Sequence, residues 1–238
     1  DSYSAAILIG GIGCDAPVVC GGQSIYQNVI YNTNNAPVSG AINVGSVSQV
    51  RFADVQVFSN TLYNTAYGIL AGFTPNLRIS NNIAYAASSY GYFAVNDPSL
   101  YVAISDFNDF YNGINWWLYP STSYSSLAAW RSGTGLDLNS QNVDPQFVGP
   151  LTGTPPSPAF RLQSSSPLIN AGRVGGLSTG APVNMGAYIT GNEIIGTGAT
   201  PPPPDSTPPT ATVISPLAGS TVSGLVTLSA TASDNVGV

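Results

Sequence analysis

The sequence predicts an all-β chain: a coil of short stacked strands, then a proline-rich spacer and a short second β-segment. Three observations carry this. A motif that puts Asn before an apolar or aromatic pair recurs as QNVIYNT (Gln27 to Thr33), SNTLYNT (Ser59 to Thr65), SNNIAYA (Ser80 to Ala86) and FNDFYNG (Phe107 to Gly113). Turn formers are abundant, with 26 Gly, 19 Pro and 20 Asn, while helix signals are scarce. The composition also changes after Tyr188, where GTGAT leads into Pro201 to Pro204.

The repeat comes first because it sets the architecture. Strand formers such as Val55, Val57, Leu62, Tyr63, Tyr67 and Ile69 are interrupted by Asn60 and Asn64, which strands disfavour. Taking Asn28, Asn60, Asn81 and Asn108 as equivalent gives intervals of 32, 21 and 27 residues, within the period range of solenoids. The asparagines are then expected at corners, where Asn tolerates the left-handed conformation and its amide can bond an Asn in the next rung. Leu62, Ile83 and Ile30 are expected to stack inside, with Gly68, Gly72 and Gly91 at corners. A β-sandwich with Asn-rich turns is the competing architecture.

After the fourth repeat, Ser125 and Ser126 before LAAW predict one short turn of helix ending at Gly133. The run Pro201 to Pro204 and DSTPPT reads as an extended inter-domain linker. Beyond it Val222, Val226, Leu228, Ala230 and Ala232 fall at even spacing, the period of a half-buried strand. About thirty residues cannot complete a sandwich of about 100, so this second β-domain reads as truncated, with unpaired edges open to self-association. The expected layout is rungs over 1–148, a closing tail over 149–195, the linker over 196–209 and the truncated segment over 210–238.

Composition removes several functions. Charged residues make up 7% and the net charge is −6, with five arginines and no Lys or His. No basic patch exists for nucleic acid. Without His, Ser-His-Asp and Cys-His nucleophile systems are excluded. No apolar run is long enough for a membrane-spanning helix. Cys14 and Cys20 bracket CDAPVVC, and a disulfide formed in an oxidising compartment is expected, with two buried free thiols as the alternative. No signal-peptide pattern follows Asp1, so any such segment is expected to have been removed or to lie outside this sequence.

The residues from Ser125 to Phe147, with Trp130 and Asp144-Pro145-Gln146-Phe147, continue into Ser166-Pro167-Leu168-Ile169-Asn170-Ala171-Gly172 and Met185-Gly186-Ala187-Tyr188. Together with the rungs, they resemble the C-terminal part of secreted bacterial right-handed parallel β-helix proteins of the pectate-lyase-like superfamily. The resemblance covers about residues 25 to 190 and is specific in the tail. Asn170 stands where that pattern has Asp, Ile189 where it has Glu, and PAFRL replaces Gly-Asp-Phe-Arg-Leu. DSTPPTATVISPLAGSTVSGLVTLSATASDNVGV (Asp205 to Val238) is similar to the first strands of bacterial Ig-like domains, which act as spacers or attachment modules.

The resemblance implies an extracellular carbohydrate-active protein, a polysaccharide lyase or hydrolase. A lyase must neutralise a uronate carboxylate, with Ca²⁺ on Asp/Glu or with Arg, and needs a base for the α-proton. Arg51 and Arg78 could grip such a carboxylate, although solubilising surface positions are the simpler reading. Trp116, Trp117 and Tyr119 could form an aromatic platform for a sugar, or equally an apolar plug. Asp106 and Asp109 could ligate Ca²⁺; because their stretch also matches a rung, capping of backbone amides is the preferred reading. Asp54 is expected to pair with Arg51. The polygalacturonase signature is absent, and no residue is assigned a catalytic role. A polysaccharide lyase of uronate polymers, represented by its C-terminal part, is the leading expectation. A non-catalytic surface, filament or adhesin protein is the alternative.

Overall fold

Strands of two to five residues separated by single left-handed residues force the chain to turn before a hairpin can form. In the computed structural model, which describes residues 6–9, 20–33, 40–45, 52–87, 90–94, 102–112, 116–118, 122–195, 210–217 and 219–233, this produces a parallel coil. Its first turn holds β1 (Ile7–Ile9), β2 (Cys20–Gly21), β3 (Ser24–Tyr26) and β4 (Val29–Tyr31). The second holds β5 (Gly40–Val44), β6 (Phe52–Ala53), β7 (Gln56–Phe58) and β8 (Thr61–Tyr63). The third holds β9 (Tyr67–Ala71), β10 (Leu77–Ser80) and β11 (Ile83–Tyr85), and the fourth β12 (Tyr90–Ala94), β13 (Val102–Asp106) and β14 (Asp109–Tyr111).

Each strand pairs in parallel with its copies one turn away. The main sheets are β1-β5-β9-β12-β15, β3-β7-β10-β13 and β4-β8-β11-β14, where β15 is Trp116–Leu118. A last strand, β16 (Thr122–Tyr124), reverses and pairs antiparallel with β15. Parallel pairing of the described strands between residues 24 and 111 rules out the sandwich.

Corners recur at fixed offsets. Gln27, Ser59, Asn81 and Phe107 have φ of 54°, 52°, 57° and 56°, and five residues later Asn32, Asn64, Ala86 and Asn112 have φ of 56°, 51°, 56° and 61°. Phe107 and Ala86 gain nothing from their side chains in this conformation. The next turn holds Ala86 there, its amide donating to the Tyr111 carbonyl at 2.9 Å as Gln27 does to the Ser59 carbonyl at 2.8 Å, while the Phe107 amide donates to Asp106 Oδ1 at 2.9 Å.

The register differs by one residue from that read in the sequence. Asn82, not Asn81, is the equivalent of Asn60, so the intervals are 32, 22 and 26. A one-residue slip exchanges faces of a strand. Hence Ile30, Leu62, Ala84 and Phe110 point into the coil, while Ile83, aligned with Thr61, faces out beneath the tail. Gly68 and Gly91 lie inside β9 and β12 rather than at corners, because the flanking strand formers pair in register with the turn before. Gly72 directly follows β9 and donates to the Val44 carbonyl at 2.7 Å.

The coil ends in α1 (Leu127–Thr134), capped by the Ser126 hydroxyl on the Ala129 amide and by left-handed Gly135. The helix therefore passes Gly133, where a Cβ would meet the Tyr124 ring at 2.5–2.7 Å; that glycine makes room for an aromatic and does not stop the helix. Trp130 is fully buried.

The tail then runs back over the outer face of the β4-β8-β11-β14 sheet. Phe147, Phe160, Leu168, Met185, Ala187 and Tyr188 form a second core there with Ile83 and Phe107. Tyr63 and Tyr85 pack edge-on at 5.2 Å, and Phe160 lies 5.6 Å from Tyr63. Asn81, displaced from the repeat, instead clamps the tail: its Nδ2 donates to the Arg173 carbonyl at 2.7 Å and its Oδ1 accepts the Arg173 amide at 2.9 Å. Asn170 is left-handed, φ 55°, which suits Asn in the place of Asp. Ile189 contributes its carbonyl, which accepts from the Asn184 amide at 3.1 Å.

Asp1–Thr200 and Pro201–Val238 are two compact units. In the second, β19 (Thr210–Ser215) pairs antiparallel with β20 (Ser229–Ser233), numbering after β17 (Gly172–Arg173) and β18 (Pro182–Val183) of the tail. The even spacing from Val222 predicts a longer, half-buried strand. Residues 221–228 are instead outside any strand, and Val213, Leu217, Leu225 and Leu228 are exposed, because a single hairpin has no opposing sheet to cover them.

Candidate functional site

Among the described residues, an outer face that combines aromatic, amide and cationic side chains lies on the sheet β3-β7-β10-β13. Ile25, Val57 and Ile79 turn inward and are buried, so Ser24, Gln56 and Arg78 form one outward row and Tyr26, Phe58, Ser80 and Asp106 the other. Tyr26 and Phe58 stack with centroids 5.0 Å apart and planes within 4°. Phe58 thus gives one ring face to Tyr26, whose residue remains 51% exposed.

Arg78 is half-buried, and its guanidinium makes no hydrogen bond among the described residues. It stands one strand beyond Phe58 and two residues back, about 8 Å between Cα atoms from sheet spacings. The far end of the face is closed by the tail. Gly176, at φ 64°, lies so near Ser80 that a Cβ would come within 2.5 Å of the serine Cβ. The open part is therefore Ser24, Tyr26, Gln56, Phe58 and Arg78.

Asp106 and Asp109 do not share a site. Asp106 accepts from the Phe107 amide at 2.9 Å, the Asn139 amide at 2.6 Å and the Asn139 side chain at 2.7 Å. Asp109 is fully buried under the tail, where one oxygen accepts the Val143 amide at 3.0 Å and the other has no partner. Burial pushes its carboxyl well above the usual carboxylate range, the nearby Asp144 adds to this, and the Val143 bond opposes it. Among the described residues, no group of three or more His, Cys, Asp and Glu gathers to hold a metal ion.

Trp116 and Trp117 lie in β15, on a different sheet from Arg78. They are not joined to the Arg78 face. Arg51, Cys14 and Tyr119 lie outside the described residues. Cys20 is disulfide-bonded. Asp54 accepts from the Asn76 side chain at 2.5 Å.

Sequence reasoning anticipated asparagine amides bonding from rung to rung but missed the residue that ends this polar spine beside the face. Asn28 Nδ2 donates to Asn60 Oδ1 at 2.9 Å, Asn60 Nδ2 to Asn82 Oδ1 at 2.9 Å, Asn82 Nδ2 to Asn108 Oδ1 at 3.1 Å, and Asn108 Nδ2 to Asp137 Oδ1 at 3.0 Å. Asp137 ends the series, fully buried, and also accepts from Ser105, Trp130 and Ser140. Burial raises its carboxyl pKa, and the bonds from Ser140, Asn108, Trp130 and Ser105 oppose the rise. The available signal was the spacing of Asp137 and Ser140 from Ser105 and Asn108, 32 residues in each case, which repeats the first interval.

Among the described residues, no helix is long and apolar enough to cross a membrane. No curated protein and no solved structure matches the chain. Residues 209–238 match the bacterial Ig domain family, whose members are typical of secreted and surface proteins of bacteria, so a parallel β-solenoid and a bacterial Ig-like segment stand in one chain.

Proposed function

We propose that this chain is part of a secreted or cell-surface protein that binds an acidic polysaccharide on the outer face of β3, β7 and β10, within a right-handed parallel β-helix of the pectate-lyase-like kind. The observation that carries it is the juxtaposition of the exposed Tyr26 ring, stacked on Phe58, with the Arg78 guanidinium on one flat face. An aromatic face accepts the C–H side of a pyranose, and a guanidinium matches a uronate carboxylate in bidentate fashion. The net charge of −6 makes the Arg78 cation on this face selective rather than generally adhesive.

Cleavage by β-elimination is the finer reading. Arg78 would neutralise the carboxylate, and the Tyr26 hydroxyl on the same face would serve as the base. Affinity electrophoresis of the full chain through gels containing alginate, pectate or glycosaminoglycan tests binding, and absorbance of unsaturated ends tests elimination. Retardation by at least one polymer, weakened in Arg78→Met and Tyr26→Ala, is expected. Unchanged mobility in all of them overturns the binding reading. Retardation without unsaturated ends removes the lyase and favours an adhesive surface role.

A further inference from the structure

The spine of asparagines is directional, and its direction matters at the rim. Asn28 commits its amide nitrogen to the Tyr26 carbonyl and to Asn60 Oδ1, both at 2.9 Å, and no group among the described residues donates to its Oδ1. An amide that donates a hydrogen bond becomes a better acceptor at its oxygen, so four amides in series polarise one another towards the first oxygen. The last amide rests on the Asp137 carboxylate, which reinforces the same sense. Asn28 Oδ1 is the acceptor end of the whole array.

That residue lines a pocket of about 400 Å³ with Gln27, Glu193, Ile194 and Ile195, a volume in the range of small-molecule sites. Both Glu193 carboxylate oxygens are held by the tail, one by the Thr190 amide and hydroxyl at 2.7 and 2.8 Å and the other by the Gly191 amide at 3.1 Å. A fixed negative charge and a strengthened acceptor therefore belong to residues that line the same pocket as two isoleucines. Gln27 supplies the amide that can donate or accept.

We infer that this pocket binds one neutral, hydroxyl-bearing sugar unit. A ligand hydroxyl donates to Asn28 Oδ1, the pyranose C–H side lies on Ile194 and Ile195, and the Glu193 carboxylate turns away uronates. Gln27 directly follows Tyr26 in the chain, so the pocket adjoins the Arg78 face along β3. The inference rests on the saccharide reading of that face and sharpens it: the polymer carries neutral as well as acidic units.

The test is amide mapping by NMR on the isotope-labelled full chain, titrated with glucose, galactose and mannose and with glucuronate and galacturonate. At least one neutral sugar should shift Gln27, Asn28, Glu193, Ile194 and Ile195, with its uronic acid weaker by about fivefold at low salt, the scale of one like-charge contact near a surface. Glu193→Gln should close that gap. Gln27→Asn, which keeps a residue at home in the left-handed corner, should weaken the neutral sugar. Arg78→Met should leave these shifts in place whether or not it abolishes polyuronate binding, which separates this site from the neighbouring face. No shift at these amides with any neutral sugar, equal response to the uronic acids in the wild type, or loss of the shifts in Arg78→Met would each overturn the inference.

Discussion

Replacing Asn82 by Ala removes one rung of the spine at its middle. Four side-chain bonds go: Nδ2 to the Val57 carbonyl and to Asn108 Oδ1, and the two that Oδ1 accepts from the Asn60 amide and Asn60 Nδ2. Three of these leave partners that keep other bonds, at about 1 kcal/mol each. The Asn60 amide is buried and has no other acceptor, which costs about 1–3 kcal/mol more. The sum is about 4–6 kcal/mol. Asn28→Ala at the rim loses two donor bonds, and Asn60 Oδ1 keeps the Asn28 amide, so about 1–2 kcal/mol is expected. Thermal melting followed by circular dichroism compares them, with about 2–4 °C per kcal/mol for a unit of this size. Asn82→Ala should melt about 10 °C below Asn28→Ala. Equal melting temperatures would refute the idea that the ladder, rather than apolar stacking alone, holds the coil in register.

Asp109→Asn should raise stability most at neutral and alkaline pH. The folded pKa of Asp109 lies above the unfolded value, so its favourable contribution is full in acid and fades as pH rises through the raised value; melting temperatures from about pH 8 down to about pH 4 should rise less steeply in the variant. Gly186→Ala should loosen the tail, since its φ is 83° and a Cβ would meet Ile83 Cδ1 at 2.7 Å and Thr61 Oγ1 at 2.8 Å. Backbone strain plus overpacking amount to about 2–4 kcal/mol, read as faster proteolysis of residues 149–195 and a lower melting temperature. Backbone amides of Val226 to Ala232 should exchange hydrogen far faster than those of Val55 to Leu62, because β19 and β20 are exposed along their whole length while β7 and β8 have a paired strand on each side.

The solenoid was legible because its corners and its spine both use Asn, a residue that strands avoid. The same economy misled the register: SNN offers two asparagines, and only pairing with Asn60 and Asn108 separates the ladder residue Asn82 from the corner residue Asn81. Asn81 then finds its use 92 residues away on Arg173, a distance no local pattern conveys. Of the candidate site, Arg78 was readable as a cation in the rungs, but not its aromatic neighbours. Tyr26 and Phe58 are 32 residues apart and meet because β3 and β7 pair in parallel one turn apart, with these two residues in register. Asp106 and Asp109 looked like a pair in sequence, yet the corner at Phe107 sends them to Asn139 and Val143.

The most direct test of the proposed saccharide-binding face is calorimetric titration of the full chain with uronate hexasaccharides of alginate, pectate and glycosaminoglycan type, alongside Arg78→Met. A charge-assisted pair between Arg78 and a carboxylate contributes about 1.5–3 kcal/mol, reduced by exposure towards the lower figure. At least one hexasaccharide should therefore bind, and Arg78→Met should weaken it by about tenfold, with added salt narrowing the difference. Binding of equal strength in wild type and Arg78→Met, or no heat with any uronate, would contradict the assignment of the Arg78 face.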